Sequence, residues 1–107
     1  MKSFLFFLQV ISAGHDATVR LWDIGDGRCM STLYGHKKSV RALCSDPDGK
    51  KILSASSDLI LAWEMPLGDI IQEIPAHDIA VNSITSNQYG VVVAGGKDLL
   101  FIIEYLL

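Results

Sequence analysis

The sequence predicts an all-β fold of short antiparallel strands, and three observations carry that expectation. Landmark residues recur at a fixed interval, apolar residues alternate in short runs bounded by turn residues, and no stretch holds a helical apolar spacing for long enough to compete. The interval comes first, because self-similarity at a period of roughly 20 to 50 residues decides architecture before local propensity does. Trp22-Asp23 is answered by Trp63-Glu64 and, after a nearly equal step, by Ile103-Glu104. Gly35-His36 is answered by Ala76-His77 at the same interval, and Asp16, Asp58 and Asp98 each fall five or six positions before the tryptophan position.

Within this frame the elements read in order. Residues 9–14, 18–23 and 28–33 are three strands, the last two joined by a turn at Gly25-Asp26-Gly27. Val40 to Cys44 alternates and ends at Asp46-Pro47-Asp48-Gly49, where proline presets one turn dihedral and glycine tolerates a positive φ. Ile52 to Ser56, Leu59 to Trp63 and Ile70 to Ile74 follow, with a turn at Pro66 to Asp69 between the last two. The next period offers Val81 to Ser86, a turn at Asn87 to Gly90, then Val91 to Gly96 and Leu99 to Glu104. A full period is a four-stranded antiparallel meander.

Composition bounds the function. In 107 residues, 9 Lys+Arg stand against 12 Asp+Glu for a formal charge of −3, and no basic block exists to neutralise a row of phosphates, so no direct nucleic-acid binding is expected. The apolar half of the chain excludes an extended disordered polymer. Cys29 and Cys44 lack C-x-x-C spacing, and His15, His36 and His77 lack close ligand spacing. Neither a disulfide framework nor a zinc site is expected; the cysteines read as small buried thiols in a reducing compartment. No cofactor is implied. The run Phe4 to Leu8 is too short for a membrane span, which needs about 20 apolar residues. Read as a signal segment it would give a secreted β protein, but Gln9 interrupts it and Ile11 to Gly14 belong to the repeat.

A period of this length with Gly-His near its start and Trp-Asp near its end resembles the WD40 family, whose units form the blades of β-propellers. Ser12 to Asp23 is similar to that family's strand-turn-strand signature almost position for position. The resemblance implies antiparallel four-stranded WD40 propeller blades and an incomplete propeller of about two and a half blades. An apolar leader at 1–8 would precede a partial blade at 9–34, a complete blade at 35–75 and a partial blade at 76–107. It also implies a buried polar cluster in which a loop His, a turn Asp, a strand hydroxyl and the Trp indole bond one another. In the complete blade those positions are His36, Asp58, Ser54 and Trp63. The first blade offers Asp16, Ser12 and Trp22, with its Asp expected to be one donor short. In the third, His77 and Asp98 remain, while Ala94 and Ile103 replace hydroxyl and indole.

The His, Asp and Ser so placed are structural, and no G-x-S-x-G turn accompanies them, so no enzyme is expected. Asp46 and Asp48 lack the further ligands of a calcium loop, and Gly25-Asp26-Gly27 lacks the strand-to-helix setting of a dinucleotide loop. Loops on one face would present Lys37, Lys38, Ser57, His77, Asp78 and Lys97 to protein partners, though solvated loop charges are the plainer reading. Open blade edges would allow self-association. More closely, residues 9–107 resemble the pleiotropic-regulator branch of WD40 proteins, through Gln9 to Ser12, His15 to Thr18, His36 to Ala42 and the tightened turn at Asp58. Members of that branch are scaffold subunits of the nineteen-associated complex of the spliceosome. The resemblance therefore implies a nuclear role in pre-mRNA splicing with spliceosomal partners; a generic adaptor, nuclear or cytoplasmic, in a ubiquitin-ligase or signalling complex is the alternative.

Overall fold

The computed structural model describes residues 9–45, 50–65, 67–75, 82–86, 92–96 and 100–103. Ten strands arise in chain order: β1 (Gln9–Ala13), β2 (Thr18–Asp23), β3 (Arg28–Tyr34), β4 (Ala42–Ser45), β5 (Lys51–Ala55), β6 (Leu59–Glu64), β7 (Asp69–Pro75), β8 (Ser83–Ser86), β9 (Val92–Gly95) and β10 (Leu100–Ile103). They form three antiparallel meanders ordered β1-β2-β3, β4-β5-β6-β7 and β8-β9-β10, so a four-stranded blade stands between two three-stranded ones. Among the described residues no helix is long and apolar enough to cross a membrane.

The period seen in the sequence reappears in backbone detail. The β2–β3 ladder shifts register between Leu21 and Trp22, and the β6–β7 ladder shifts at the equivalent place, between Ala62 and Trp63. A bulge there inserts one residue and bends the outer strand at each tryptophan. The turns that follow match as well: the Asp23 carbonyl accepts from the Gly27 N–H at 2.9 Å, and the Glu64 carbonyl from the Gly68 N–H at 2.9 Å. Both glycines have positive φ, 71° and 78°, which a side chain disfavours.

The central sheet is buried on both faces, which is why Leu59 to Trp63 reads as a nearly continuous apolar run. Residues alternate between two cores. Leu53, Ala55, Ile60, Ala62 and Ile74 pack with Ile84 and Ala94 of the third blade. Ile52, Leu61, Trp63 and Val40 pack with Val19 and Leu33 of the first.

Several strand boundaries shift by a residue or two from the sequence expectation, and two of the shifts have a visible cause. β4 begins at Ala42 and not at Val40, because the Val40 N–H is drawn across to the Gly14 carbonyl of the first blade at 3.0 Å. β5 ends at Ala55, since the Ser56 N–H turns to the Leu59 carbonyl at 2.9 Å. Cys29 and Cys44 are not joined in a disulfide, and both are only partly buried, against the expectation of interior positions. Cys29 lies on β3, the outer strand of its sheet, and Cys44 packs at the margin of the core shared with the third blade. The turns at 46–49 and 87–90 lie outside the described residues.

Candidate functional site

The polar cluster of the second blade is assembled from the loop after β3, strand β5 and strand β6. Gly35 delivers the histidine. A Cβ at Gly35 would stand 2.9 Å from Ile70 Cδ1, 3.0 Å from Trp63 Cη2 and 3.1 Å from Leu61 Cδ1, so only a glycine backbone comes this close. His36 is then buried with its ring tilted 53° to that of Trp63, centroids 6.5 Å apart. Ser54, fully buried, is the hub: the Trp63 indole N–H donates to its Oγ at 2.8 Å, and His36 Nε2 meets the same oxygen at 2.6 Å. Which of Nε2 and Oγ donates depends on the imidazole tautomer.

Asp58 is placed differently from the expectation. Its carboxylate accepts from Ser56 Oγ at 2.7 Å, while His36 Nδ1 is buried without a partner. The turn here is one residue tighter than its counterpart in the first blade, and the hydroxyl inside the turn takes the carboxylate that the family pattern directs to the imidazole. Electrostatics still link the two. Burial pushes His36 below the ordinary histidine range, with the Asp58 charge pulling the other way. Asp58 is held below the usual carboxylate range, chiefly by the Ser56 hydrogen bond and also by Lys38 and His36.

In the first blade the Trp22 indole donates to Ser12 Oγ at 2.8 Å, the same bond as in the second. Asp16, expected to be one donor short for want of a preceding histidine, finds its donors in its own turn and strand. It accepts from the Thr18 hydroxyl at 2.8 Å, from the Thr18 N–H at 3.1 Å and from Arg20 at 3.0 Å. Those bonds, the two from Thr18 first, hold its carboxyl below the usual range. Thr18 and Arg20 were not among the expected site residues, nor was Ser56. Hydroxyls within two residues of a turn aspartate were the available signal. They swap sides between blades: Ser56 precedes Asp58 by two, whereas Thr18 follows Asp16 by two.

His77, Asp78, Lys97 and Asp98 lie outside the described residues. Of the proposed partner-facing residues, Lys37 and Lys38 are exposed and Ser57 is half-buried. Among the described residues no three His, Cys, Asp or Glu side chains come together as a metal site.

Comparison with known proteins agrees with this geometry. The WD domain, G-beta repeat family matches residues 4–23 and 27–63. This chain belongs to the WD40 repeat family. Autophagy-related protein 16 of Arabidopsis thaliana is 31% identical over 92 residues, 84% of this chain and 18% of that protein. Protein pleiotropic regulator PRL2 of the same plant is 38% identical over 72 residues, 65% of this chain and 15% of that protein. Pre-mRNA-processing factor 17 of Mus musculus is 38% identical over 64 residues, 58% of this chain and 11% of that protein. The chain thus spans less than a fifth of the length of each of these relatives.

Proposed function

We propose that this WD40 segment serves a protein-interaction scaffold of the pre-mRNA splicing machinery, acting in the nucleus by binding and not by catalysis. The observation that carries the reading is the likeness to the pleiotropic regulator and to a pre-mRNA-processing factor over more than half of the chain. The cluster around Ser54 supports it indirectly: its hydroxyl and imidazole are buried and already bonded to each other, the arrangement of a brace and not of a nucleophile awaiting substrate. Rigid blades then hold Lys37, Lys38 and Ser57 where partner proteins would meet them, and Asp78 and Lys97 complete the set that the family pattern presents. The outer strand edges offer a second, self-associating contact.

An adaptor role in a different complex is the competing reading, favoured by the likeness to an autophagy-related protein over 84% of the chain. Affinity purification of the full-length protein from nuclear extract, with mass spectrometry, separates the two. Recovery of spliceosomal subunits, reduced by a double Lys37→Glu and Lys38→Glu substitution, is the expected result. Recovery of none of them sinks the splicing assignment.

A further inference from the structure

The outer strand of the second blade departs from the repeat at the positions that set charge. One period apart, Arg28 of β3 becomes Asp69 of β7 and Thr32 becomes Glu73, so β7 carries two carboxylates and no cation. At the end of the β2–β3 ladder Asp23 faces Arg28, whereas at the same place in the β6–β7 ladder Glu64 faces Asp69. Like charges directly opposite one another weaken a ladder. Glu64 has Lys51 on its other side, but Asp69 and Glu73 stand on the outermost strand, opposite Glu64 and Leu61 alone. Both carboxylates are exposed.

The same stretch shows apolar surface to solvent: Leu67 is 83% exposed, Ile70 40% and Ile71 39%. Gly68 and Ile70 seat against Leu33 and Gly35 of the first blade, which fixes the backbone that carries them. The far edge of β7 has no partner among the described residues, so its N–H and C=O groups there are a template for a further strand. The bulge at Ile71 and Pro75, which has no N–H, confine that template to residues 71–74. Strands β4 and β8 pair in this fold over the same four residues of length. Charge then selects the occupant. A second copy's β7 would set carboxylates against carboxylates, whereas a strand alternating cationic and apolar side chains makes ion pairs around an apolar contact.

We propose that the open edge of β7 binds an extended basic segment of a partner protein by strand addition, its lysines or arginines opposite Asp69 and Glu73 and an apolar side chain between them against Ile71. The contact is separate from the loop face of Lys37 and Lys38 and stands whichever complex the protein serves. The probe is the capped heptapeptide Thr-Lys-Thr-Val-Thr-Lys-Thr, whose lysines and valine share one face at the spacing of residues 69, 71 and 73. Added to the intact ¹⁵N-labelled chain, it is expected to shift the β7 amide signals saturably and to leave those of β1 and β2 in place. It should also slow hydrogen exchange at alternate β7 N–H groups, as ionic attraction without strand pairing would not. The double substitution Asp69→Lys and Glu73→Lys, at exposed positions, should weaken binding at least about tenfold, roughly 1.4 kcal/mol. That variant should instead take up the peptide with glutamates in place of lysines, and unchanged β1 and β2 signals report that it is folded. Three results overturn the proposal: equal binding of both peptides to the unsubstituted chain, no β7 response at millimolar lysine peptide, or shifts without slowed exchange. Broadening of β7 signals with protein concentration alone, the mark of pairing between copies, overturns it too.

Discussion

Ser54→Ala is the perturbation that most directly tests the second-blade cluster. The substitution removes one oxygen at a fully buried position and leaves two buried groups, the Trp63 indole N–H and His36 Nε2, without their partner. Each unsatisfied buried polar group costs about 1–3 kcal/mol, so the expected loss is roughly 2–6 kcal/mol. Domains are stable by only about 5–15 kcal/mol in total, which makes this a large fraction. Ser12→Ala removes the matching oxygen in the first blade, where Trp22 is only half-buried and water can replace the bond. There the expected loss is about 0.5–1.5 kcal/mol. Urea unfolding of both variants, followed by circular dichroism, measures the contrast. A double-mutant cycle of Ser54→Ala with Trp63→Phe should return a coupling of about 1 kcal/mol or more. Equal losses at Ser12 and Ser54, or no coupling, would refute the claim that the buried hydroxyl bonds brace the blade.

Three other outcomes follow from geometry already described. Gly68→Ala forces a positive φ on a side chain whose Cβ would stand 2.5 Å from Leu33 Cδ2, whereas Gly27→Ala meets nothing within 4 Å. The first should cost more than the second, whose loss is limited to about 1–2 kcal/mol of backbone strain in thermal unfolding. Gly35→Ala should destabilise by about 1–3 kcal/mol through overpacking against Ile70, Trp63 and Leu61, read as a lowered urea midpoint. Stability should also fall in mild acid. Because His36 in the fold has its pKa lowered, the unfolded chain binds the extra proton first. The stabilisation is complete above the ordinary value of about 6.5 and is lost as pH drops through it toward the folded value. Asp16 and Asp58, also lowered, add a further loss only as pH falls below the ordinary carboxylate range. His36→Asn, tracked by urea titrations at several pH values, should flatten the first slope and leave the second.

Much of this was legible because repeats advertise themselves. Trp22 and Trp63, Gly27 and Gly68, and the two register shifts are all separated by the same interval, and each marks a backbone requirement that few residue types meet. What could not be read was side-chain partnering. Asp58 has acceptors to fill, and both Ser56 and His36 lie within reach of the pattern. In the tighter turn the carboxylate goes to Ser56, a choice that spacing does not encode. Arg20 shows the same limit, since its pairing with Asp16 four positions back follows from the shape of the first turn. The late start of β4 was hidden for another reason: it depends on the Gly14 carbonyl, remote in the chain and beside a neighbouring sheet.

That last bond, from the Val40 N–H to the Gly14 carbonyl, has an evolutionary consequence. Both partners are main-chain atoms, so nearly any pair of residues at those positions preserves the link, and only a proline at 40 would delete the donor. The constraint at this seam therefore falls on the side chains and not on the bond, since Val19 and Leu33 of one blade pack with Val40, Ile52, Leu61 and Trp63 of the other, and Gly68 lies against Leu33.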